Sequence, residues 1–114
     1  MNTGRIGRPD GAPIIATTKF AVDDVRCHIR HHHPGCPEFA VDFFSAAVTG
    51  RAWQRCTLGT AVGIVMQVFL RHHMTEYDQL LLIGIEREEA RRRVQPRINA
   101  MLATWRKPPV ARDV

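Results

Sequence analysis

A chain of 114 residues suffices for one domain with a modest core, and at 45% apolar residues it is too apolar to be disordered throughout. Its three cysteines, Cys27, Cys36 and Cys56, are an odd, sparse set that excludes a disulfide framework and reads as free thiols in a reducing, cytoplasmic setting. The formal net charge of +5 favours acidic partners, DNA or RNA first among them.

The opening residues, MNTGRIGRPDG, carry no apolar core, so no secretory signal is expected. Gly4, Gly7, Pro9, Gly11 and Pro13 predict a flexible arm over 1–17, weakly basic through Arg5 and Arg8, with a short extended piece at Ile14 and Ile15. A single helical domain is expected over 18–107. Its first helix begins after Thr18, with Val22, Val25 and Ile29 at helical spacing. Asp23 and Asp24 come early and Arg26 and Arg30 late, matching the helix dipole, and Pro34 and Gly35 stop it.

Pro37 is expected to open the second helix at its first position. Ala40, Val41, Phe44, Ala47 and Val48 form its apolar stripe, and Gly50 caps its end. After a linker containing Trp53, the third helix runs from about Thr57 to His73. Almost nothing on it is polar, which predicts the buried centre of the core. Gly63, Gln67 and Arg71 interrupt the stretch too soon for a bilayer span, so no membrane partner is expected. Gly59 and Gly63, four apart, predict close approach of another helix.

Thr75-Glu76-Tyr77-Asp78 fits a capping pattern with Thr75 as N-cap. A short helix follows through Leu80, Leu81 and Leu82, closed by Gly84. The last helix, from about Glu86 to Trp105, turns Ala90, Val94, Ile98, Met101, Leu102 and Trp105 inward, and Pro96 predicts a kink or a break in it. Pro108 and Pro109 end the fold, leaving 108–114 as a loose tail. Strand-like alternation and internal repeats are almost absent. The expected class is all-α, a compact bundle of about five short helices with flexible termini.

From Val48 to Trp105 several spaced elements stand together: Thr49-Gly50-Arg51, a long apolar helix, Arg71-His72-His73-Met74-Thr75-Glu76-Tyr77-Asp78-Gln79-Leu80-Leu81, Gly84, Arg87-Glu88-Glu89-Ala90-Arg91, and Trp105. This pattern resembles the bacterial and fungal family known as domain of unknown function 2293. Met74 stands where the resemblance implies a second histidine, and Pro96 where it implies an uninterrupted helix. The resemblance implies a helical domain and brings no activity with it.

Three constellations could carry chemistry. Cys27, His28, His31, His32, His33 and Cys36 offer thiol and imidazole ligands that suit zinc, with two i,i+4 pairs on one helix. No C-x-x-C pair accompanies them, and a histidine-rich helix end that complements the negative pole accounts for the same residues, so no cofactor is expected. Arg71, His72, Thr75, Tyr77 and Asp78, with Arg51 of the family-like pattern, could form a polar cluster for acid–base work. Helix capping by Thr75 and Asp78 is the simpler account. No nucleophile with a base partner is apparent, which favours a binding protein over an enzyme.

The third is the basic run Arg87, Arg91, Arg92, Arg93 and Arg97, followed by Arg106 and Lys107. It reads as a phosphate-contacting helix. Against it, Glu88 with Arg92 and Glu89 with Arg93 are i,i+4 pairs that would make the run a solvated, salt-bridged face. The leading expectation is a nucleic-acid-binding protein using this helix. The alternative is a protein-interaction or structural subunit, as a homo-oligomer or with another chain. A metal protein or enzyme built on the histidines comes third.

Overall fold

Five helices and one pair of two-residue strands make up residues 17–109, the part of the chain that the computed structural model describes. In chain order they are β1 (Thr17–Thr18), α1 (Val22–His32), α2 (Glu38–Thr49), β2 (Trp53–Gln54), α3 (Leu58–His73), α4 (Tyr77–Leu82) and α5 (Arg87–Arg106). The all-α expectation holds, with one addition. β1 and β2 pair antiparallel, Thr17 opposite Gln54 and Thr18 opposite Trp53. Two residues are too few for alternation to register in a sequence. The expected arm over 1–16, with its extended piece at Ile14 and Ile15, and the tail from 110 onward lie outside the described residues.

The core is where the apolar stripes converge. Val25 and Ile29 of α1, Ala40, Val41, Phe44 and Val48 of α2, and Ala61, Val62, Met66 and Leu70 of α3 are all buried. Ala90, Val94, Ile98 and Leu102 of α5 close the cluster, as their i,i+4 spacing requires. Ser45, also fully buried, sits inside the α2 stripe, so its hydroxyl is a packing group and not a nucleophile.

The helix ends follow local chemistry, with corrections at Pro37 and Thr75. Pro37 is the N-cap of α2, in extended conformation, rather than its first helical residue. Gly50 caps the other end in ordinary right-handed geometry; the left-handed helix stop is Gly84, at φ 95° after α4. Thr75 is not the N-cap of α4, a position held by Glu76. The Thr75 hydroxyl instead donates to the Arg71 carbonyl at the end of α3 and accepts from the Tyr77 amide at 3.2 Å, tying the two helices across their turn. At Pro96, where a kink or a break was expected, α5 does not break. That proline is solvent-exposed, so water can satisfy the carbonyl one turn back that loses its donor.

Two expectations about α3 also need correction. It is not buried all round: Ile64 and Val68 are 44% and 43% exposed. Of its two glycines only Gly59 meets a neighbouring helix, through the His28 ring of α1; the space beside Gly63 is open. A closer backbone approach lies at Gly35. The Gly35 amide donates to the Trp105 carbonyl at 2.8 Å, and a Cβ at Gly35 would stand 2.6 Å from the Lys107 carbonyl oxygen. This contact joins the turn after α1 to the C-terminal end of α5.

Candidate functional site

The 20-residue α5 is roughly 30 Å long at 1.5 Å per residue. Glu86 caps its start by accepting from the Glu89 amide at 3.1 Å. Because residues step about 100° around a helix, burying Ala90, Val94, Ile98 and Leu102 fixes where the arginines go. Arg91 and Arg106 fall on one flank, and Arg93 and Arg97 on the other. Between the flanks runs an outer ridge of Arg92, Pro96, Asn99, Ala100 and Ala103, all exposed. Beyond Arg92 this ridge is slim. Asn99 accepts from the Gln95 amide at 2.9 Å, and Gln95 also reaches Gln67 of α3 at 3.1 Å. These two amides were not singled out in the sequence, because lone Asn and Gln residues carry no pattern until the helix face is known.

Of the two expected i,i+4 pairs, Glu89 with Arg93 forms, whereas Glu88 turns to Arg91 and leaves Arg92 to Glu89. Glu89 takes both Arg92 and Arg93, the latter at 2.9 Å, while Glu88 stands 3.9 Å from Arg91. Arg87, Arg97, Arg106 and Lys107 have no carboxylate partner among the described residues. The paired arginines are exposed, where an ion pair is worth little and is readily exchanged for another anion.

The polar cluster at the α3–α4 turn does assemble. His72 Nδ1 lies 2.8 Å from Asp78 Oδ1, so Asp78 serves the imidazole and not the helix start. The His72 ring meets the Tyr77 ring edge-on at 5.3 Å, and the Arg71 guanidinium lies over the Tyr77 ring at 5.8 Å. Tyr77 is only 3% exposed and belongs to the core. Arg51 stands apart from this group, stacked on Trp53 at 3.8 Å.

The histidine–cysteine group assembles only in part. Cys27 is exposed and Cys36 is buried, its thiol pushed up to about 11 by loss of solvent. The His28 and His32 rings are 4.3 Å apart, and those of His31 and His32 4.7 Å. Burial lowers His28, and the neighbouring His32 and His31 lower it further. His33 is lowered first by burial and then by Arg106. Both therefore resist the charged form that a helix-dipole role would need. Among the described residues, no three His, Cys, Asp or Glu side chains come together as a metal site.

A further feature was not foreseen. Side by side, α2 and α3 enclose an open trough of about 350 Å³. Its walls are apolar: Phe43 from α2 and Ile64, Val65, Val68 and Phe69 from α3. Arg51 and Trp53 line it, as do His72 and His73. The apolar excess of α3 signalled more hydrophobic surface than one core needs, but only the packing shows which part stays uncovered.

A model of the family described as uncharacterized conserved protein (DUF2293) matches residues 34–106. The match begins earlier than the elements read from the sequence and takes in all of α2, leaving α1 outside. No curated protein and no solved structure matches the chain.

Proposed function

Since the chain belongs to the DUF2293 family, and since that family's description assigns no activity, we propose from the chain's own surface that it binds nucleic acid through α5. The observation that carries the reading is the slim ridge of Pro96, Asn99, Ala100 and Ala103 with arginines on both flanks. A helix of this shape suits a nucleic-acid groove: the ridge enters, and the flanking guanidiniums reach the phosphates on either side. Asn99 and Gln95 are amides of the kind that pair with adenine edges. The two glutamates hold Arg91, Arg92 and Arg93 in place until phosphates replace them.

The test is a salt titration by fluorescence anisotropy with duplex and single-stranded DNA and RNA. Arg93→Glu or Arg97→Glu should weaken binding of every sequence about equally, and each should reduce the salt slope by about one counterion. Asn99→Ala should instead narrow the difference between sequences. Absence of any affinity at about 50 mM salt would sink the reading, because a phosphate-contacting surface binds most strongly there. The arginine face would then be the solvated, salt-bridged surface of a protein-interaction subunit.

A further inference from the structure

The trough between α2 and α3 is independent of α5, and its chemistry is different. Phe43, Ile64 and Val68 are 50%, 44% and 43% exposed, an apolar strip that water covers only at a cost. The strip is open along its length rather than closed over, because its own walls are half in solvent. It is therefore accessible to an element laid against it.

The polar groups stand at the two ends. The Phe43 ring meets Phe69 at 4.9 Å, and Phe69 meets the His73 ring at 4.7 Å, so Phe43 marks the imidazole end. Arg51 lies eight residues beyond Phe43, past the end of α2 at Thr49. Among the described residues, no carboxylate lines the trough. The Arg51 guanidinium is held in place by Trp53, and the imidazoles by Phe69 and Asp78.

We infer that this trough is a docking groove for an acidic amphipathic helix of a partner protein. The partner's apolar residues, at i and i+4, would lie on Phe43, Ile64 and Val68. Its carboxylates would meet Arg51 at one end and the His73 imidazole at the other, since His72 is already held by Asp78. Charge decides among the occupants. A second copy of this chain, with a formal net charge of +5, brings the unfavourable overall sign to Arg51. Residues 1–16 carry Arg5 and Arg8 against Asp10 alone, the wrong sign for this groove. A phosphate backbone has nothing to place on an apolar floor.

The experiment uses the full chain and a labelled synthetic helix with a leucine stripe bracketed by two glutamates seven residues apart. A second probe has lysines in place of the glutamates. Anisotropy should show the acidic probe binding about tenfold more tightly than the basic one. Val68→Glu should abolish binding of the acidic probe, and Arg51→Glu should reverse the preference between probes. Circular dichroism of each variant checks that both substitutions, at exposed positions, leave the fold intact. Equal binding of the two probes, or no saturable binding of the acidic one below about 1 mM, overturns the proposal. So does sedimentation showing a dimer that Val68→Glu dissociates, since the occupant would then be a second copy.

Discussion

Thr75 shows how one hydroxyl can serve two helices. It donates to the last turn of α3 and accepts from the first amide of α4, so its loss strands a carbonyl and an amide together. Thr75→Ala is expected to cost about 1 kcal/mol, read as a lowered urea midpoint with unchanged slope. The T-x-x-D spacing pointed to this residue but not to its geometry. Asp78 was expected to share the capping and instead holds His72, because the turn brings the imidazole within 2.8 Å of it. Cys36 illustrates the reverse case. As a residue type it suggested a metal ligand, and burial, with a thiol raised to about 11, makes it a core side chain.

At the scale of elements, the junction between α1 and α5 rests on the absence of a side chain at Gly35. The backbone of residues 104–107 comes so close that a Cβ would meet three carbonyl oxygens within 3.2 Å. Neither helix end can yield without moving buried neighbours, Ile29 on one side and Leu102 on the other. Gly35→Ala should therefore destabilise the protein by about 2 kcal/mol, measured by chemical denaturation, the usual size of an overpacking penalty. In the sequence, Gly35 after Pro34 marks only a helix stop. Its role in joining α1 to α5 depends on a residue 70 positions away, Trp105, whose carbonyl accepts its amide.

For the molecule as a whole, the half-buried histidines make stability depend on pH. His28 and His33 are held below the ordinary imidazole value of 6.5, chiefly by burial, with His32 and His31 acting on His28 and Arg106, His28 and His32 on His33. The unfolded chain therefore binds more protons than the folded one as pH falls through 6.5. The stabilisation is complete above that pH and is lost on acidification toward the folded-state values. The melting temperature should fall between pH 7.5 and about 5, where histidine is the side chain that titrates. His33→Gln should flatten that fall. A melting temperature constant over this range in the wild type would contradict the assignment. Glu38, lowered mainly by its hydrogen bond from Arg30, acts at more acidic pH, below its ordinary value of 4.5.

Helix content, the order of the helices and most of the core were legible in the sequence, because a helix face is a local property. Val25 and Ile29, Phe44 and Val48, and Ala90, Val94, Ile98 and Leu102 repeat at spacings that allow one buried stripe each. Where several faces of one segment are apolar, periodicity has nothing to choose between. That is why α3 read as buried all round, whereas packing left Ile64 and Val68 exposed beside Phe43. The strand pair Thr17–Thr18 with Trp53–Gln54 was invisible for a related reason: a two-residue ladder is created by proximity, not by pattern. The arginine run was plain in the sequence, yet its division between two flanks of α5 follows from which stripe turns inward. Local chemistry determined the elements. The trough, the closure at Gly35 and the neutral histidines were decided by which elements meet, because burial and contact belong to pairs of segments far apart in the chain.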